Sequence, residues 1–212
     1  MSLRWRIAQF FEIRWWRHYL SGKEKTVYLD WKKNYWQEFL KQIEIELMPG
    51  GKVLDAGCGP AGVFMVLTHQ KVDAVDPLLD EYCQKIPHFQ AIDYPNTRFF
   101  CQAIETYFPD YQYDIVFCLN AVNHVADLDG CFDRLAALTK PGGTLVLSVD
   151  AHNSPFLKRV FRLFPGDILH PHQHDLVEYK AMLTERGFSI QRSVLIKKEW
   201  IFGYWAILAK MK

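Results

Sequence analysis

Apolar positions recur along this chain in two rhythms, and each predicts a different kind of element. Near the N-terminus Ile7, Phe10, Phe11, Trp15 and Tyr19 recur at helical spacing, which predicts a helix over residues 3–20 that Ser21-Gly22 ends. A second helix is predicted over 27–47, stopped by Pro49-Gly50-Gly51. Beyond it the rhythm changes to short runs that are apolar at nearly every position: KVLDAG (52–57), VDAVD (72–76), RFFCQ (98–102), YDIVFCLN (113–120) and TLVLSVD (144–150). Such runs suit strands of a parallel sheet buried on both faces. Residues 61–69 and 129–139 read as helices between them, the second stopping at Lys140-Pro141-Gly142-Gly143. Asp175 and Glu178 form a capping box that opens a helix, and Gly187 closes it. FSIQRSVLIKK (188–198) and WIFGYWAILAK (200–210) leave no room for a crossover helix, so they are expected to pair antiparallel.

The expected fold is therefore α/β: a doubly wound sheet of five parallel strands plus a C-terminal antiparallel hairpin, preceded by N-terminal helices. Residues 1–48 form a helical extension or lid and 49–212 the ligand-binding domain. Residues 153–174 read as irregular or partly helical, rich in Phe, Pro and His.

Composition narrows the function classes. A net charge of +1 gives no global field to recruit nucleic acid or membrane. Locally, Arg4, Arg6, Arg14, Arg17, Lys23, Lys25, Lys32 and Lys33 outnumber Glu12, Glu24 and Asp30. The five cysteines, Cys58, Cys83, Cys101, Cys118 and Cys131, contain no CxxC; reduced thiols and no metal site are expected. No stretch reaches the ~20 apolar residues that span a bilayer, and there is no apolar leader, so a cytoplasmic location is expected. No feature fixes an oligomeric state.

The chemistry sits in Asp55-Ala56-Gly57-Cys58-Gly59-Pro60-Ala61-Gly62, directly after the first strand. Gly57-x-Gly59-x-x-Gly62 alone is the generic dinucleotide fingerprint, whose glycines allow a tight turn and close backbone approach. Asp76, at the end of the second strand, is placed to accept hydrogen bonds from ribose hydroxyls. Asp55 argues against a pyrophosphate, which would meet its negative charge, and the terminal hairpin is foreign to ordinary dinucleotide domains. A cationic sulfonium ligand tolerates the acid.

VLDAGCGPAG, AVDP, YDIVFCLNAVNHV and LTKPGGTLVLSV, in that order, resemble the motifs of the class I S-adenosylmethionine-dependent methyltransferases, of the small-molecule type. The resemblance is strong over about residues 50–150. It implies a Rossmann-like fold, S-adenosyl-L-methionine as cofactor and methyl transfer to a small-molecule acceptor by direct displacement. It places Asp55, Gly57 and Gly59 at the methionine moiety, Asp76 at the ribose and Pro77 beside the adenine, with Cys58 also among the cofactor-binding residues. Gln102, where the family usually carries Asp, and Ala103 would read the adenine edge; Leu119 and Asn120 would line the transfer channel. His124 matches a position where many of these enzymes carry a His near the substrate, and a base there could take the acceptor's proton.

Other candidates keep two readings. Tyr28 and Trp31 would close over the pocket as part of an aromatic lid, or pack as core. His172 and His174, with His170, would reach the substrate pocket, hold a metal on one face of an extended chain, or stand in a solvated loop. Two functions compete with small-molecule methyl transfer: a non-catalytic cofactor-binding or interaction module, and an RNA or protein methyltransferase. Asn120-Ala121-Val122-Asn123 lacks an Asn-Pro-Pro-Tyr-type base-methylation motif, so nucleic acid is the less expected partner.

Overall fold

A computed structural model describes residues 3–152, 174–198 and 202–212. Two helices come first, α1 (Leu3–Leu20) and α2 (Lys25–Gln42). The carboxylate of Glu24 caps α2 by accepting from the backbone N–H groups of Thr26 and Val27 at 3.0 and 2.8 Å. The sheet then builds from β1 (Lys52–Ala56), β2 (Lys71–Val75), β3 (Thr97–Phe100), β4 (Tyr113–Leu119) and β5 (Thr139–His152). Between them stand α3 (Leu79–Lys85) and α4 (Leu128–Leu138). After residue 173 come α5 (Leu176–Glu185), β6 (Phe188–Lys198) and β7 (Phe202–Met211). The expected capping box is present at α5: Asp175 accepts from the Glu178 N–H at 2.9 Å, and Glu178 accepts from the Asp175 N–H at 3.0 Å.

Strand order is β3-β2-β1-β4-β5-β7-β6. The first five are parallel, and β7 enters antiparallel between β5 and β6. The five parallel strands and the antiparallel hairpin are thus as expected. The apolar runs are explained by burial on both faces. Val53 of β1 faces one core cluster with Trp36, Phe39 and Phe117, while its neighbour Leu54 faces another with Val116, Leu135 and Tyr179.

The helix expected over 61–69 does not form. A single 3-10 turn, Val63–Val66, stands there instead. The segment is apolar on every side, with Val63, Phe64, Met65 and Leu67 all buried, so it has no polar face to turn outward. Val63, Phe64 and Leu67 share one core cluster with Phe39 and Ile43, so that face of the sheet is closed by α2 and the residue that follows it. The anchor is specific: Trp36 donates its Nε1–H to the Ala61 carbonyl at 2.9 Å.

Candidate functional site

A cavity of about 630 Å³ opens at the carboxyl ends of the parallel strands. That is where an open α/β sheet holds its ligand. Its floor is the loop after β1. Gly57 has φ +72°, and a Cβ there would lie 2.3 Å from the Ala121 Cβ, so only glycine lets this loop meet the one after β4. The N–H groups of Gly57 and Cys58 both donate to the Val75 carbonyl, at 2.8 and 3.2 Å, which binds the loop to the end of β2.

Asp55 lies under this loop, not on the cavity wall. It is buried and accepts from the Phe64 N–H at 3.0 Å. Gly62 is needed for this: a Cβ on it would come within 2.4 Å of the Asp55 Oδ2. Burial pushes the Asp55 carboxyl up to about 7, against the Phe64 and Val63 N–H groups and Lys32, which favour its charge.

Asp76 does line the cavity. Its carboxylate accepts from the N–H of Gly59 and of Leu78, both at 2.9 Å, so it braces the glycine loop as well as facing the ligand space. Burial, then the neighbouring Glu12 carboxylate, push it up to about 7. Glu12 comes from α1, is itself raised chiefly by burial, and accepts from the Tyr82 hydroxyl at 3.0 Å. Buried acids elsewhere behave differently. Burial also works on Asp73, but hydrogen bonds from Arg98, Tyr111 and Tyr113 outweigh it and hold that carboxyl below its ordinary range. Raised carboxyls gathered at a cleft mark a ligand site better than a satisfied structural acid does.

The roof is α1 and α2. From α1 come Gln9, Glu12, Trp15 and Trp16; from α2 come Lys32, Tyr35 and Trp36. The Lys32 ammonium lies 4.6 Å from the ring centres of both Tyr35 and Trp36. Burial draws it down to about 8, partly offset by Asp55. The Nε2 of Gln9 is buried with no hydrogen-bond partner among the described residues. The far wall is made by Asp150, Lys197 and Tyr204, at the ends of β5, β6 and β7. The Tyr204 hydroxyl lies 2.8 Å from the Ser148 Oγ.

Of the residues expected from the sequence, Gly57, Cys58, Gly59, Asp76, Pro77, Ala103, Leu119, Asn120 and His124 come together around this one cavity. Asn120 is held at φ +54°, its N–H donating to both the carbonyl and the hydroxyl of Ser148 at 3.0 Å. Besides Asp55, which lies beneath the loop, four residues fall elsewhere. Gln102 is exposed beside the wall that Ala103 forms. Tyr28 is only 4% exposed and packs edge-on against His88 and Tyr19, one helical turn short of the cavity. Trp31 is 52% exposed, stacked on Tyr35 outside it. His174 pairs with Glu178 at 3.2 Å and packs on Tyr179. His172 lies outside the described residues.

The sequence reading missed Gln9, Glu12, Trp16, Lys32, Tyr35, Trp36, Asp150, Lys197 and Tyr204. Helical spacing carried a signal for six of them. Residues 9, 12 and 16 share one face of α1, as 32, 35 and 36 share one face of α2. Trp31 steps off that face, whereas Tyr28 is on it but one turn early.

Comparison with known proteins agrees with this layout. The methyltransferase domain family matches residues 28–193. Ubiquinone biosynthesis O-methyltransferase of Coxiella burnetii is 31% identical over 156 residues, covering 69% of this chain and 62% of that protein. The enzyme of the same name from a Bradyrhizobium strain is 32% identical over 110 residues, covering 49% of this chain and 42% of its own length. The chain thus spans about two fifths to three fifths of these curated relatives. Among solved structures, the 1,6-didemethyltoxoflavin-N1-methyltransferase of Burkholderia thailandensis, with its substrate and S-adenosylhomocysteine bound, superposes with a TM-score of 0.64 at 15% identity, over 100% of this chain and 92% of that one. Glycine loop, sheet order and family match converge: the chain belongs to the methyltransferase domain family, among the class I S-adenosylmethionine-dependent methyltransferases.

Proposed function

We propose that this chain transfers a methyl group from S-adenosyl-L-methionine to an oxygen or nitrogen of a planar small molecule held under α1 and α2. The observation that carries the reading is the two-sided cavity. One wall is the family's glycine loop with Asp76; the other is aromatic, with Trp16, Tyr35, Trp36 and Tyr204. Its volume of about 630 Å³ lies within the ~300–1,000 Å³ usual for small-ligand pockets.

The residues present fit the cofactor. Asp76 offers a carboxylate to ribose hydroxyls, and the Gln9 Nε2, without a hydrogen-bond partner among the described residues, offers a donor from above. Lys32, near Asp55, supplies a cation for a carboxylate at the methionine end. When bound, the sulfonium supplies an activated methyl group and a good leaving group. The chain's own residues then have to align the acceptor and exclude water. The aromatic roof serves both needs. His124 lines the wall after β4, which supports its reading as the base that takes a proton from an attacking hydroxyl or amine. The O-methyltransferase relatives favour oxygen as the attacking atom; the toxoflavin enzyme suits a flat heterocycle.

Thermal-shift measurement with S-adenosylmethionine, S-adenosylhomocysteine and NAD tests the cofactor half. The first two are expected to raise the melting temperature and NAD to leave it unchanged. Transfer of a labelled methyl group to a panel of phenols, aromatic amines, RNA and protein tests the acceptor half. Label in the phenols or amines, lost in His124→Ala, is expected. Label confined to RNA or protein would refute the small-molecule reading.

A further inference from the structure

One surface of α1, apart from Trp15 at its edge, stands outside the cavity. Ile7, Phe11, Arg14 and His18 follow one another at intervals of three and four residues, and Phe10 and Arg17 flank them on the same side of the helix. This face points away from the protein: Phe10 is 60% exposed, Phe11 47% and Trp15 51%. The opposite side, with Ile13 and Leu20, is buried. So many bare aromatics on one helix need an explanation, because an exposed apolar cluster in water is a marker of association.

The charge around the cluster is predominantly positive. Arg14 lies over the Phe10 ring at 5.7 Å. Beside it a cleft of about 600 Å³ is walled by Arg14, Arg17, His18, Lys23 and Lys85, of which Lys85 is paired with Glu81. A second copy meeting this face through its own would set these cations against each other. An anionic lipid surface meets both demands at once: rings and Ile7 enter the headgroup boundary, and the arginines meet phosphates.

The position of Trp15 adds a geometric link. It is half exposed on this face and also lines the cavity, so the cavity wall reaches the edge of the same surface.

We propose that the outer face of α1 docks on an anionic membrane surface, setting the mouth of the cavity against the lipid. The docking is peripheral; no helix among the described residues is long and apolar enough to cross a membrane. It also holds whether or not the chain transfers methyl groups, since it concerns residues outside the cavity floor.

Flotation with vesicles tests it. The chain is expected to float with mixed phosphatidylcholine–phosphatidylglycerol vesicles, and to stay down with pure phosphatidylcholine or in high salt. Arg14→Gln with Arg17→Gln should cut partitioning by about 25-fold, from ~1 kcal/mol per cation at the surface. Phe10→Ser with Phe11→Ser should release the chain while leaving its melting temperature and its S-adenosylhomocysteine shift unchanged. A wild-type chain that stays down with the mixed vesicles would overturn the proposal. Unaltered flotation of both double variants would overturn it too. So would an α1 face whose aromatics serve only a dimer, seen as sedimentation of a dimer that Phe10→Ser with Phe11→Ser dissociates, or a face that holds single-stranded RNA in preference to lipid.

Discussion

The floor and the roof of the cavity are built from different materials. The floor is backbone: the Gly57–Gly62 loop is fixed by positive φ, by close approach and by its N–H groups, which donate to the Val75 carbonyl and the Asp76 carboxylate. The roof is side chain: two helices present Gln9, Glu12, Trp16, Lys32, Tyr35 and Trp36, and touch the floor through the Trp36–Ala61 hydrogen bond. A backbone site tolerates few sequences and leaves a recognisable motif. A side-chain site can be filled in many ways, which suits the half that must fit a particular acceptor.

The sharpest way to break this contrast is at Gly57. Alanine there must keep a φ of +72° and push its Cβ against Ala121. The left-handed backbone and the overpacking together cost about 3 kcal/mol. Calorimetry should find no binding of S-adenosylhomocysteine, and the melting temperature should fall. Retained affinity would mean the floor is softer than its geometry implies.

Asp76→Asn comes next. It preserves the shape but removes the charge that would receive the ribose hydroxyls, so affinity should weaken about 10- to 100-fold, as for hydrogen bonds to charged groups. Isothermal titration decides it, and an unchanged dissociation constant would move the ribose elsewhere.

On the roof, Lys32→Met keeps an apolar stem against Tyr35 and Trp36 and deletes the cation. Cofactor affinity should fall about 5- to 10-fold, the range of a charge-assisted contact. The unliganded chain should melt no lower, because a desolvated ammonium has been removed. A lower melting point with unchanged affinity would make the roof purely structural.

The smallest effect is a pH slope. Asp55 stands at about 7 in the fold against an ordinary 3.8, so the folded chain holds its proton more tightly than the unfolded one. Its contribution to stability is full below about pH 4 and is lost as pH rises through about 7. Asp55→Asn should flatten the fall in melting temperature over that window by about 2–4 °C per kcal/mol of linkage. Asp76 keeps its own share of the slope. Melting curves across the window that are parallel for wild type and variant would remove Asp55 as a source.

The same contrast explains what the sequence disclosed. Strands β1 to β5 were legible because burial on both faces writes an unbroken apolar run. The hairpin was legible because too few residues separate 198 from 200 for any crossover. The glycine loop was legible because steric necessity at Gly57 and Gly62 admits few substitutes. The helix expected after it was not found, since an all-apolar stretch does not say whether it will coil or simply be covered by α2. On the roof, aromatic content pointed to the correct helices but not to the correct residues. Tyr28 and Trp31 lie a few residues from Lys32, Tyr35 and Trp36, and helix rotation against the domain, which composition does not encode, separates lining from packing.

The place of β7 has a consequence for how the protein is made. Residues 202–211 fill the slot between β5 and β6, and among the described residues β6 pairs with no other strand. Among the described residues, a nascent chain that has reached Lys198 therefore has all five parallel strands and still carries β5 as an open edge, with β6 unpaired. Bare edges recruit other chains. Addition of Phe202–Met211 closes the sheet, so resistance to aggregation during synthesis depends on this strand.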